Sequence, residues 1–126
     1  MTPFGILLES FRRKRGLQQQ MLAAEIGVNS CYISGMEKGR KGPPSQQVFN
    51  ELIRALELTP EETQQIKDAA SRSQKTIRIP DDTSVHEFEL IYDLLNRLGT
   101  FSEEETDAFR LLMKINSKRK FKGGNL

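Results

Sequence analysis

The stretch from Gln19 to Lys38, QQMLAAEIGVNSCYISGMEK, constrains the fold of this chain more than any other. Apolar residues recur at helical spacing on both sides of Gly27, which interrupts the pattern together with the Val-Asn that follows it. Two short helices joined by a tight turn fit this pattern. Ala23 provides the small side chain where such helices cross, and Gly27 provides the positive φ of the turn. Ile33 is placed to pack the second helix onto the first.

Helical periodicity continues on both sides of this pair, and strand alternation is almost absent. Start signals for further helices occur at Thr2-Pro3, Ser45, Thr59, Ser84 and Ser102. The last three of these open capping boxes, in which a Glu follows the capping hydroxyl three residues later. The sequence therefore predicts an all-α protein with five helices in an N-terminal domain, followed by a C-terminal helical hairpin.

The boundary between these parts is predicted from residues 72–83, RSQKTIRIPDDT, which have no helical period and contain Pro80. We interpret them as a linker between a domain at residues 1–71 and a hairpin with a basic tail at residues 84–126. Within the linker, Thr76 to Ile79 alternates as a short extended arm would.

Charge is distributed unevenly along the chain, although the formal net charge is only +2. Residues 1–44 carry a net charge of +4, residues 81–107 carry −8, and residues 108–126 carry +6. Blocks of this kind indicate separate surfaces with different partners.

The residue inventory argues against several classes of function. A single cysteine, Cys31, and a single histidine, His86, provide neither a disulfide framework nor a zinc site. No nucleophile–histidine–acid arrangement, GxGxxG sequence or Walker loop occurs, so we expect no enzyme, no catalytic or metal-binding residues and no cofactor. No apolar run approaches the roughly 18–20 residues that span a bilayer, so no membrane partner is expected.

Three strings contain the two short helices and their flanks: Arg12-x-x-Arg15-Gly16-Leu17, Gln19-x-x-Leu22-Ala23-x-x-x-Gly27-Val28, and Tyr32-Ile33-Ser34-x-Met36-Glu37-x-Gly39-Arg40, followed by Pro43. Together they resemble the Cro/repressor-like (xenobiotic-response-element) family of helix-turn-helix transcriptional regulators. The likeness covers roughly residues 4–70. It implies a five-helix domain that binds double-stranded DNA, with the second helix of the pair in the major groove.

Some residues depart from the family pattern. Gln18 stands where the family usually has Ser or Thr, which predicts weaker capping of the first helix of the pair. Cys31 and Gly35 stand at outward positions where longer polar side chains are frequent. We therefore expect sparse base readout, with phosphate contacts and DNA shape contributing more of the specificity.

The resemblance implies roles for particular residues. The base-facing residues are expected to be Asn29, Ser30, Cys31 and Ser34. The phosphate-binding residues are expected to be Gln19, Lys38, Arg40 and Lys41. The run from Arg12 to Arg15 is interpreted mainly as a solvated helix end, favoured by the helix dipole, that also includes intradomain contacts.

The predicted hairpin has broad apolar faces that favour dimerisation. The residues assigned to that interface are Val85, Phe88, Ile91, Leu95, Leu98, Phe109, Leu112 and Met113. Packing of the hairpin on the N-terminal domain is the alternative structural interpretation.

The functional hypothesis is a homodimeric repressor that acts on a pseudo-palindromic operator in the cytoplasm, associated with the nucleoid when it is bound to DNA. The alternative is an antitoxin-type protein that binds a toxin or other effector protein through the hairpin and regulates its own synthesis through the N-terminal domain.

Overall fold

The computed structural model describes residues 1–115, in which every regular element is an α-helix. The helices are α1 (Pro3–Lys14), α2 (Gln19–Ile26), α3 (Ser30–Glu37), α4 (Gln46–Ala55), α5 (Pro60–Ser71), α6 (Val85–Arg97) and α7 (Glu103–Lys114). The chain forms two compact units, one spanning Met1–Ile77 and the other beginning at Arg78. Over residues 1–115, the predicted all-α fold, with five helices followed by two, is confirmed.

The helices begin where side chains cap their first turns. The hydroxyl of Thr2 accepts a hydrogen bond of 3.0 Å from the N–H of Gly5. Thr59, Ser84 and Ser102 form complete capping boxes at α5, α6 and α7. Gln18 makes no side-chain capping hydrogen bond, in agreement with the weaker cap predicted for α2.

The core of the Met1–Ile77 unit is a single apolar cluster to which all five helices contribute. Its buried members are Phe4, Leu8, Phe11, Leu22, Ala23, Ile33, Met36, Phe49, Leu52, Leu56, Ile66 and Ala70. The rings of Phe4 and Phe49 stack with their centroids 5.9 Å apart, which joins α1 to α4. Burial of these side chains is the main term that stabilises the unit.

Polar contacts attach both ends of α1 to the region of α5. The N–H of Phe4 donates to the Ser73 hydroxyl over 2.8 Å in a buried position. At the other end, Arg15 Nη2 donates to Glu62 Oε1 over 2.6 Å. Hydrogen bonds from Arg15 and from the Thr59 N–H lower the pKa of Glu62 to about 2, so its carboxylate stays ionised well into the acid range.

The predicted linker contains no regular element, but its first residues belong to the first compact unit. Ser73 is buried, and the compact unit extends to Ile77. The short extended arm predicted from Thr76 to Ile79 forms neither a helix nor a strand, and Ile77 is exposed.

The second unit consists, in its described part, of α6, α7 and the turn between them. Gly99 adopts φ +90° in that turn, a conformation that favours glycine. The guanidinium of Arg97 lies 4.9 Å from the centre of the Phe101 ring, which meets the Phe109 ring edge-on at 5.3 Å. These contacts connect the end of α6 to the first turns of α7.

Neither α6 nor α7 buries a residue within the part of the chain that the structure describes. Val85 is 77% exposed and Leu95 is 61% exposed. Their apolar faces are therefore left without the cover that the first unit gives its own helices. The predicted basic tail, residues 118–122, lies outside the described residues. No helix in residues 1–115 has both the length and the apolar character needed to cross a membrane.

Candidate nucleic-acid interface

The turn between α2 and α3 has the geometry that its sequence predicts. Gly27 ends α2 with φ +73°, and the N–H of Val28 bonds back to the carbonyl of Ala23 over 3.0 Å. This is the Schellman arrangement, which closes a helix through a left-handed residue. Ala23 and Ile33 are both buried where the two helices meet.

The first turn of α3 is capped by Asn29, whose Oδ1 accepts from the N–H of Cys31 over 2.8 Å. This bond uses the amide oxygen of Asn29 and leaves its amide nitrogen free to donate elsewhere. Cys31 and Asn29 are exposed, whereas Ser30 and Ser34 are half-buried. Three of the four predicted base-facing residues thus lie at the N-terminal end of α3, and Ser34 lies one turn further along the helix.

The opposite face of α3 is fixed by a buried ion pair. Arg12 donates from Nε to Glu37 Oε2 over 2.6 Å and from Nη2 to Glu37 Oε1 over 2.9 Å. Its third bond, from Nη1, reaches the carbonyl of Leu17 over 2.7 Å. The hydrogen bonds to Glu37 raise the pKa of Arg12, which favours its charged guanidinium.

Interpreting the whole Arg12–Arg15 run as a solvated helix end is therefore wrong for two of its members. Arg12 is buried against Glu37, and Arg15 is paired with Glu62. Arg13 and Lys14 are the solvated residues of this run, with exposed side chains. Arg13 pairs with Glu9 one turn away, and Lys14 contacts Glu62. The expected intradomain contacts of Arg12 and Arg15 are present.

Gln19 extends this network to α2. Its Nε2 donates to Glu37 Oε1 over 2.9 Å, so part of the side chain predicted to bind a phosphate is used within the protein. The first-turn N–H groups of α2 receive no side-chain cap from Gln18. Uncapped N–H groups at a helix N-terminus favour an anion, and here they complement Gln19.

The predicted phosphate-binding cations lie on the turn that follows α3. Lys38, Arg40 and Lys41 are all exposed there. Gly39, between the first two, has φ +79°, and a Cβ on it would lie 2.9 Å from the N atom of Thr2. The turn is therefore packed against the start of α1, which limits its freedom to move.

Sequence reasoning missed the close approach of α1 to the end of α3. A Cβ on Gly5 would collide with the carbonyl oxygen of Met36 and would lie 2.8 Å from that of Glu37. This position requires glycine because backbone atoms cannot yield as a flexible side chain can. The signal available was a glycine inside a helix, which a single sequence does not distinguish from a tolerated one.

Comparison with known proteins identifies this arrangement. A family model described as a helix-turn-helix domain matches residues 3–66, about half of the chain. The chain belongs to the Cro/repressor-like helix-turn-helix family. The family resemblance carried by the three sequence strings is confirmed, and α2 and α3 are the two helices of the family's motif.

Two individual proteins are similar to this family member. An uncharacterized HTH-type transcriptional regulator, RghRB, of Bacillus subtilis (strain 168) is 36% identical over 58 residues, which cover 46% of this chain and 42% of that protein. The match thus spans less than half of the relative's length. A chain of the SinR protein/SinI protein complex aligns over 92% of this chain and 99% of its own, with 17% identity and a TM-score of 0.45.

Proposed function

We propose that this protein is a sequence-specific, double-stranded DNA-binding transcriptional regulator that inserts α3 into the major groove. The observation that carries the proposal is the contrast between the two faces of α3. Its inner face is fixed by Ile33, Met36 and the Arg12–Glu37 pair, whereas its outer face keeps Cys31 exposed. A helix held rigidly on one side and open on the other can enter the groove without rearrangement.

Phosphates on both sides of the groove would be bound by groups that flank α3. Lys38 and Arg40 are exposed on the turn after it, and the N-terminus of α2 with Gln19 lies before it. Such contacts fix the register of the protein on the duplex, whereas Asn29 and its neighbours on α3 read the base edges.

Replacing Arg40 with Ala is expected to weaken binding to all duplex sequences by a similar factor, because a phosphate contact carries no sequence information. The slope of log K against log salt should become less negative by about 0.9 per protomer. The measurement is fluorescence anisotropy on a preferred and a scrambled duplex across a salt series. A loss confined to the preferred duplex would instead make Arg40 a base-reading residue.

We further propose that the chain acts as a homodimer through α6 and α7, as a repressor on a pseudo-palindromic operator. The support is the exposed apolar surface of these helices, including Phe88, Leu95 and Leu112. Exposed apolar area of this extent is typical of a surface that another protein covers. Two helices of this length are also only marginally stable without such cover. Dimerisation would place two α3 helices about 34 Å apart, one turn of DNA.

Replacing Leu95 with Asp is expected to shift the full-length protein from dimer to monomer, since the change buries a charge in the proposed interface. Sedimentation velocity at micromolar concentration measures the change. Asn96→Asp adds the same charge at the next position and should leave the dimer intact. A monomeric unsubstituted protein would contradict the homodimer and would favour a different protein partner for this surface, as in the antitoxin-type alternative.

A further inference from the structure

Gly35 lies in the second turn of α3, on the outer face of the helix that begins with the exposed first turn. Gly35 follows Cys31 by four residues, so the two lie on the same side of the helix. Ile33 and Met36 face the core on the other side. Gly35 is nevertheless buried.

Its cover is the side chain of Lys41. A Cβ on Gly35 would lie 3.3 Å from Cγ, 3.4 Å from Cδ and 3.7 Å from Cε of Lys41. The apolar stem of the lysine therefore runs across α3 through the space that a side chain at position 35 would occupy. Lys41 remains exposed, as is usual for a lysine that packs its stem and keeps its ammonium group in water.

The backbone holds the lysine in this place. The N–H of Lys41 donates to the carbonyl of Gly35 over 3.1 Å, and the left-handed Gly39 turns the chain back toward the helix. The turn after α3 is thus folded onto the outer face of α3, and the base of the Lys41 side chain is attached there by its own peptide group.

We propose that Lys41 is a specificity-determining residue that donates to the O6 or N7 acceptor of a guanine in the major groove, and that Gly35 is the residue that positions it. This inference rests on the proposed insertion of α3 into the groove. The side chains native to the outer face, Ser30, Cys31 and Ser34, are short. A four-carbon stem lying on the same face reaches further than any of them, and lysine to guanine is an established pairing of donors and acceptors.

The test uses the full chain and two matched variants, with selection from a library of randomised duplexes followed by affinity measurements on single-base changes of the selected site. Lys41→Met keeps the stem and removes the charge. We expect it to bind the selected site about tenfold more weakly and to lose a guanine preference at one position per half-site. Lys38→Met removes an equal charge nearby and should weaken all sequences alike.

Gly35→Ala tests the position of the Lys41 side chain while keeping its charge. The three atoms nearest to the added methyl group all belong to the flexible stem of Lys41, so we expect the variant to fold normally and to weaken the same guanine preference with no change in charge. Thermal unfolding confirms the folding, and Lys41→Arg should retain a guanine preference.

Two results would overturn the inference. A uniform loss for Lys41→Met, with every base preference kept, would make Lys41 a phosphate contact. Unchanged preferences in Gly35→Ala would remove Gly35 from a positioning role. If the unsubstituted chain enriched no sequence at all, the proposed function would fail first and the inference with it.

Discussion

Replacing Arg12 with Met is expected to lower the free energy of unfolding of the Met1–Ile77 unit by about 3–5 kcal/mol. Glu37 would remain in place with a side chain only 2% exposed and without its bidentate partner. Gln19 alone would then donate to this carboxylate. A buried charge that loses its counter-ion is among the most costly single changes in a protein, because its hydration is not restored.

A neighbouring residue provides the control. Arg13→Met removes the same charge and the same kind of side chain from a position that is 72% exposed, where the ion pair with Glu9 lies on the surface. It should cost less than about 1 kcal/mol. The double variant Arg12→Met, Glu37→Leu removes both buried charges and should recover most of the stability lost by Arg12→Met.

Urea unfolding, followed by far-ultraviolet circular dichroism, measures the free energy of unfolding of all three variants. Equal losses for Arg12→Met and Arg13→Met would contradict the assignment of Arg12 to a buried network. If the double variant were less stable than Arg12→Met, the buried ion pair would stabilise the protein by more than the cost of removing its two charges from water.

Replacing Cys31 with Asp is expected to weaken specific DNA binding by about 100-fold or more while leaving the fold intact. The carboxylate would stand on the outer face of α3, where it would be repelled by the phosphates of like charge, a juxtaposition that costs several kcal/mol. Stability should be unchanged or slightly higher, because Cys31 lies in the first turn of α3 and helix N-termini favour acidic side chains.

Two variants separate the charge from its position. Cys31→Ser replaces the thiol by a hydroxyl of similar size and should bind DNA nearly as well as the unsubstituted protein. Gln64→Glu places an equal charge on an exposed residue of α5 and should reduce binding only slightly. Anisotropy titrations on one selected duplex, with melting temperatures for each protein, give both quantities. Binding by Cys31→Asp at full strength would remove α3 from the DNA interface.

The positions of the helices could be predicted from the sequence because their determinants are local. Capping hydroxyls at Thr59, Ser84 and Ser102 act within one turn of their own helices. The Ala23–Gly27–Ile33 spacing likewise specifies a turn through residues close together in the chain. These local signals agree with the global fold, which is what a foldable sequence requires.

The polar network could not be predicted, since its partners are far apart in sequence. Arg12 and Glu37 are separated by 25 residues, and a run of four basic residues at a helix end is more often solvated. Gly35 was expected to stand at an outward position of α3, without a side chain to read bases. That position is covered by the stem of Lys41, because the turn after α3 brings the lysine back onto the helix.

The structure explains the positions of the charges in only part of the predicted charge blocks. The basic residues of the first block fall into three groups. Arg12 and Arg15 act within the fold, Arg13 and Lys14 are exposed at the end of α1, and Lys38, Arg40 and Lys41 are exposed on the turn after α3. The cations on the turn after α3 are therefore a smaller set than the basic residues of residues 1–44. The salt dependence of binding depends on this smaller set.

In the proposed function, α3 reads the sequence of duplex DNA from two copies of this chain. The most direct test of this proposal is selection of the purified full-length protein on randomised double-stranded DNA. We expect an enriched pseudo-palindrome whose half-sites are centred about 10–10.5 base pairs apart. Failure of the folded protein to enrich any sequence over the starting library would contradict sequence-specific DNA binding by α3.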